Sequence, residues 1–250
     1  MNNSPHIYEW PYQPPVLVPS VTTVIRDVIA AHDLERWRNV QVIIMAKRHP
    51  QEDFDKIISL ADEERDYRAS VGTAVHRLAR LFHEGKAWRN EPEMNNPEVP
   101  MLVENYVNWA NSSFEGSVMY PETLMFGEIN GLKFAGTPDI PIVTLRSGTR
   151  VGRKFLQANT TAIIDIKTGS VPRKEWDYQI TGYRALVIYN TGLTPEIMVS
   201  ARVDRDEVHV HEHSVAPWAS LLEVWYNLFG PEALAKRLSK GVGNEGDQAE

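Results

Sequence analysis

Residues 161–167 read Thr-Ala-Ile-Ile-Asp-Ile-Lys, and this stretch decides the fold class. An apolar run closed by an alternating Asp-Ile-Lys is the pattern of a strand entering a core. Side chains alternate along a strand, so Asp165 and Lys167 project from one side while Ile164 and Ile166 point into the interior. A carboxylate and an ammonium therefore share one surface. Alone, Asp-x-Lys is common on solvated sheet rims. Its neighbours in the sequence give it chemical meaning.

Upstream lies Gly136-Thr137-Pro138-Asp139, at the end of a hairpin whose geometry follows from its turn. Segments 122–129 and 132–139 flank Asn130-Gly131, a dipeptide that favours a two-residue type I′ turn because both central positions need positive φ. That turn sets Ile129 opposite Leu132, Phe126 opposite Ala135, and Glu122 opposite Asp139. Two carboxylates facing each other repel unless something neutralises them, and a divalent cation does so. Pro121 and Pro138 are residues that end a ladder or introduce a bulge, which limits how far the pairing runs.

Two helices complete the constellation. Gly72-Thr73-Ala74-Val75-His76 opens a helical run with apolar positions at Val75, Leu78, Ala79 and Phe82, with Ser70 or Thr73 as its cap. His76 lies beside the apolar stripe, where it offers an imidazole nitrogen toward the sheet. Downstream, the pattern predicts a helix over about 174–190 that carries Gln179 and Tyr183 on one face at i, i+4. Both side chains donate hydrogen bonds of the kind that position a phosphate backbone. Carboxylates for a cation, an ammonium against developing negative charge, and amide and hydroxyl donors together suit phosphodiester hydrolysis.

In order, Gly72-x-x-x-His76, Glu122, Gly136-Thr137-Pro138-Asp139, Asp165-Ile166-Lys167-Thr168-Gly169 and Gln179-x-x-x-Tyr183 resemble the PD-(D/E)XK nuclease superfamily. The likeness is strongest to its RecB-like branch of small phage-type exonucleases and covers about residues 70–203. Pro-Ser-Val-Thr-Thr-Val at 19–24 is also similar to the opening of small phage members. The resemblance implies an α/β, restriction-endonuclease-like core with a central mixed β-sheet flanked by helices and an N-terminal helical extension. It implies that Asp139 and Asp165 are metal ligands, that His76 and the Ile166 carbonyl complete the site, and that Glu122 supports a metal directly or through water. Lys167 is then the catalytic cation, and Gln179 and Tyr183 are substrate contacts. The implied reaction is metal-dependent DNA hydrolysis in recombination, repair or replication, with exonuclease action favoured by the resemblance and a structure-specific endonuclease as the alternative. A catalytically silent, DNA-binding or partner-binding form of the fold is the further alternative. Hard oxygen donors imply Mg²⁺ or Mn²⁺, as one ion or two. Some relatives carry a cysteine-ligated iron-sulfur cluster, and with no cysteine in the chain that cluster is excluded.

Composition agrees with this reading. The 250 residues are 42% hydrophobic, enough for one large core with an appended helical region. Three segments are expected: an N-terminal arm and helical region over 1–69 packed on the core, the nuclease core with its C-terminal helix over 70–238, and a disordered tail over 239–250. No membrane-spanning run or signal peptide is visible, so a soluble, cytoplasmic protein is expected. The net charge of −7 is unevenly spread, with nine Lys or Arg against four Asp or Glu between Lys133 and Arg184. Such local basic charge suits DNA, here with single-stranded character. Within it, Arg146, Arg150, Arg153 and Lys154 form an extended loop expected to cross the groove as substrate contacts. A recombination or replication protein partner and an oligomeric ring follow from the resemblance alone. Residues 51–69 are charge-rich and read either as a mobile lid or as a surface helix. Glu207, His209, His211 and His213 alternate with Val208 and Val210 and predict an edge strand with a solvated histidine face.

Overall fold

The computed structural model describes residues 6–12, 16–169 and 174–230. An extended antiparallel pair, β1 (Ile7–Glu9) and β2 (Leu17–Pro19), leads into a short helix α1 (Val21–Ile25). A π-helical turn at Arg26–Ala30 connects α1 to α2 (Ala31–Arg48), and α3 (Phe54–His83) and α4 (Val99–Ser113) follow. Then come β3 (Phe114–Met119), the hairpin β4 (Met125–Ile129) and β5 (Leu132–Gly136), and β6 (Ile140–Leu145). A small hairpin of β7 (Arg150–Val151) and β8 (Lys154–Phe155) precedes β9 (Thr160–Lys167). The chain continues through α5 (Lys174–Thr191), β10 (Ile197–Val203), β11 (Val208–Glu212) and α6 (Trp218–Phe229). The tail over 239–250 and a turn expected near Ala233–Leu238 lie outside the described residues.

The central sheet has the order β11-β10-β9-β6-β3 and is mixed, with β9 parallel to β10 and antiparallel to β6. Its two faces carry different helices, as the alternation of β9 requires. Ala162, Ile164 and Ile166 enter one core with α3 and α4, while Ile163 enters a second with α1, α5, α6 and the β4–β5 hairpin. The molecule is thus α/β, a mixed five-stranded sheet flanked by helices. Val21, Val24 and Ile25 of α1 share the core of Trp218 and Trp225, so the N-terminal segment packs on the sheet. Burying an aliphatic or aromatic side chain of this size contributes about 1.5–3 kcal/mol. Among the described residues, no helix is long and apolar enough to cross a membrane.

The β4–β5 turn follows its sequence. Asn130 and Gly131 have φ of 52° and 79°, and the ladder pairs Ile129 with Leu132 and Phe126 with Ala135. Regular pairing stops at Met125 and Gly136, so Glu122 is not in a strand. It sits in a turn at φ 42°, yet its amide still donates to the Asp139 carbonyl at 3.1 Å.

Helix α3 departs from expectation at its start. Its cap is Asp53, which accepts from the Lys56 amide at 2.8 Å, and neither Ser70 nor Thr73 caps anything. Both lie inside the helix and donate back to the Tyr67 and Ala69 carbonyls. The charge-rich segment is the outer half of this helix and packs on α2 through Met45, Ile57 and Ala61. Helix α3 therefore runs unbroken across the 69/70 position drawn between the first two sequence regions.

A buried carboxylate cluster at the end of the central strands

Strands β6 and β9 run antiparallel, with Ile140 opposite Ile164. One step further, the same register brings Asp139 across from Asp165. The Ile166 amide donates to Asp139 Oδ2 at 2.7 Å, which ties the carboxylate to the neighbouring strand. From the helix above, His76 Nδ1 lies 2.9 Å from Asp139 Oδ1. His76 reaches this point because α3 approaches β9 closely at Gly72, where a Cβ would stand 2.9 Å from Thr168 Oγ1. The glycine of the Gly72-x-x-x-His76 pattern is thus a packing glycine and not a helix opener.

The second half of the cluster comes from β9 and α5. Lys167 Nζ lies 2.5 Å from Asp165 Oδ2 and donates to Gln179 Oε1 at 2.9 Å. Gln179 Nε2 in turn reaches Asp165 Oδ1 and the Tyr183 hydroxyl, each at 3.3 Å. Asp165, at 3% exposure, has both oxygens engaged. Tyr183 seats against Gly136, where a Cβ would stand 2.9 Å from its ring, so the Gly of Gly136-Thr137-Pro138-Asp139 is also a close-approach position. The Trp176 ring lies 5.5 Å from Lys167 Nζ as a cation–π neighbour.

Electrostatics separates the two aspartates. Burial opposes ionisation of Asp139, but His76, Lys167 and the Ile166 amide outweigh it and hold its pKa below the ordinary carboxylate value. Burial likewise opposes charge on His76, and Asp139 overcomes this and raises the imidazole pKa. For Asp165 burial prevails over Lys167, with Asp139 adding repulsion, and its pKa is raised. Glu122 is raised by burial and by Asp139, against the opposing Arg80 guanidinium, whose Nε lies 3.4 Å from Glu122 Oε2. Carboxylates whose environments drive their pKa values apart are a mark of working sites.

His76, Asp139, Asp165, Ile166, Lys167, Gln179 and Tyr183 are therefore brought together, with Glu122 alongside through its amide and Arg80. Four expected substrate contacts are not. Arg146 follows β6 at the end opposite Asp139, about 23 Å away at 3.3 Å per residue. It pairs with Glu115 at 2.9 Å, Lys154 pairs with Glu212 at 2.6 Å, Arg150 Nε donates to the Gly152 carbonyl, and Arg153 is exposed. Gly152 N–H donates to the Val210 carbonyl, which docks the hairpin on edge strand β11 instead of laying it over the carboxylates. The charge pattern was real, but charge alone does not specify which strand a loop docks on.

Sequence reasoning missed Arg80, which the i, i+4 spacing from His76 on α3 places on the same helix face. It also misplaced His213. Strand β11 ends at Glu212, and His213 turns inward to 7% exposure, between Asp177 and Ser200. The solvated face stops at His211.

The donor set suits a hard divalent cation, since Asp139, Asp165 and a main-chain carbonyl at Ile166 supply oxygen and His76 supplies nitrogen. Among the described residues, no group of three or more His, Asp or Glu side chains is arranged to hold a metal ion. Asp139 is paired with His76, and Asp165 with the Lys167 ammonium. A cation bound at this place would take over charge that His76 and Lys167 now offset.

No family model matches this chain, and no curated protein does. Among solved structures, the chain is similar to one described as "Crystal structure of SSO0001", with 17% identity, a TM-score of 0.31, and 60% of this chain and 70% of that chain covered.

Proposed function

We propose that this protein is a divalent-metal-dependent DNA nuclease with a restriction-endonuclease-like core, of the RecB-like branch of the PD-(D/E)XK superfamily, acting as an exonuclease. One observation carries the reading. Residues scattered from position 76 to position 183 close into two joined hydrogen-bonded sets, His76–Asp139–Ile166 and Asp165–Lys167–Gln179–Tyr183, at one strand end. They are the residues that the ordered motifs singled out.

Asp139, Asp165, His76 and the Ile166 carbonyl would hold Mg²⁺ or Mn²⁺, with Glu122 supporting through its place beside Asp139. When bound, such an ion supplies Lewis acidity toward the phosphoryl group and an activated water. Lys167, held by Asp165 and Gln179, presents a fixed positive charge where negative charge develops in the transition state. Fixing it in advance removes the cost of reorienting it during the reaction. Gln179 and Tyr183 form the wall of the site on α5 and place hydrogen-bond groups against the phosphate backbone. His76 and the Ile166 amide hold Asp139 ionised and in one orientation.

The test is degradation of 5′-labelled and 3′-labelled linear single-stranded and duplex DNA with Mn²⁺, Mg²⁺ or EDTA. Metal-dependent cleavage by the wild type that vanishes in Asp165→Ala and Lys167→Ala is the expected result. Cleavage of closed circles would assign an endonuclease instead. Binding of DNA without cleavage in any metal would replace the enzyme with a binding module.

A further inference from the structure

His213, one of three histidines in alternation near the C-terminus, has no place in the solvated face it seemed to join. Its imidazole is buried with both nitrogens engaged: Nδ1 lies 2.7 Å from Asp177 Oδ1, and Nε2 lies 2.9 Å from Ser200 Oγ. An ionised carboxylate only accepts hydrogen bonds, so Nδ1 donates to Asp177; burial holds the ring neutral by lowering its pKa, and Nε2 then accepts from the Ser200 hydroxyl. Both partners matter by location. Ser200 is 1% exposed and is the register partner of Asp165 across β9 and β10. Asp177 is in the first turn of α5, next to Trp176 and one turn before Thr181, whose hydroxyl donates to the Asp177 carbonyl at 2.6 Å.

The imidazole therefore links the strand beside Asp165 to the start of the helix that carries Trp176 and Gln179. Its ring also lies 6.5 Å from the Trp176 ring, edge-on, and the Trp176 ring lies 5.5 Å from the Lys167 ammonium. Lys167 is thus flanked by two α5 side chains, Trp176 and Gln179, and the first turn bearing one of them is fastened through Asp177 to His213. A Ser-His-Asp series of this kind invites comparison with a nucleophilic triad, but Ser200 has no exposed surface for an acyl group to meet. The connections lead to Lys167 instead.

We propose that His213 is a positioning residue for Lys167, fixing the first turn of α5 through Asp177 so that Trp176 and Gln179 hold the ammonium on Asp165. The inference rests on the nuclease reading for its kinetic consequence, but not for its geometric one. His213→Ala removes both hydrogen bonds. His213→Asn leaves an amide donor for Asp177 and serves as the milder variant. The geometric readout is the ¹⁵N-edited signal of the Lys167 ammonium, assigned with Lys167→Arg and recorded without metal. It is expected to be sharp in the wild type, to broaden beyond detection in His213→Ala, and to return in His213→Asn. In cleavage assays with Mn²⁺, kcat is expected to fall about 10- to 100-fold in His213→Ala with KM for DNA within twofold, and to recover at least half of that loss in His213→Asn. An unchanged ammonium signal in a folded His213→Ala overturns the inference. So does a loss of kcat that merely tracks loss of folded protein in both variants. If the wild type cleaves nothing while the ammonium signal responds as stated, the nuclease reading fails and the positioning role stands.

Discussion

Strands β6 and β9 lie side by side and end in two very different places. At one end, Asp139 and Asp165 are buried among His76, Lys167 and Gln179, and each polar group is shared with another. At the other, Arg146 meets Glu115 on open surface, and two strands away from β9 Lys154 meets Glu212 on the sheet edge. Both ends are rich in charge, and only the first is organised. Solvent makes the difference. Exposed pairs are screened and contribute about 0–1 kcal/mol, whereas buried charges must find partners or shift their pKa values. Density of charge in a sequence therefore says less about a site than how the backbone lets charges approach one another.

The sharpest way to break the comparison is at the organised end. Asp165→Ala or Lys167→Ala is expected to lower metal-dependent cleavage about 10³-fold or more, measured as single-turnover release of labelled nucleotide. Substituting the four basic residues of the exposed loop tests the contrast directly. Next in size is Gly136→Ala, whose methyl would stand 2.9 Å from the Tyr183 ring and 3.0 Å from Leu186. It is expected to cost about 1–3 kcal/mol in denaturant unfolding, as overpacking does. A Gly136→Ala protein as stable as the wild type would mean that α5 does not press on the hairpin.

The His76–Asp139 pair gives the pH test. Asp139 has a lowered folded pKa, so its contribution is present above the unfolded value of 3.8 and is lost as pH falls through the folded one. His76 has a raised folded pKa, so its contribution is complete below the unfolded value of 6.5 and is lost as pH rises through the folded one. Stability of the metal-free protein should carry a maximum from this pair between about pH 4 and pH 6.5, read from urea midpoints. His76→Ala is expected to flatten the alkaline side of that profile. An unchanged profile would show that the imidazole and the carboxylate do not share charge in solution. The smallest effect belongs to the exposed loop: Arg146, Arg150, Arg153 and Lys154 changed together to Ala should alter cleavage less than about threefold at 0.15 M salt, with a somewhat shallower salt slope. A larger loss would put DNA on this loop as well as at the carboxylates.

What could be read from the sequence was local. The turn at Asn130-Gly131 fixes a register within a few residues, and the alternation of 161–167 needs no distant partner to be a strand. The Gln179 and Tyr183 face is likewise set by helical spacing. What escaped reading depended on tertiary contact. Gly72 looked like a helix start because glycine interrupts helical patterns, when in fact it makes room for Thr168. His213 continued an alternation whose strand had already ended at Glu212. The pairing of Glu122 with Asp139 survived only as a main-chain hydrogen bond, because the turn around Pro121 takes Glu122 out of the ladder while returning its amide to Asp139.

Helix α3 gives the site a property that follows from its length. Thirty residues in one helix span about 45 Å, with His76 in the inner half and the exposed Phe54 at the outer end. Its inner half is anchored in the core by Val71, Val75 and Leu78, so a tilt of a few degrees about that anchor moves the outer tip by about 1–2 Å and leaves His76, inside the anchor, nearly still. A distance label at Phe54 therefore reads how the outer half of α3 swings on α2 from outside the site, without touching the carboxylates.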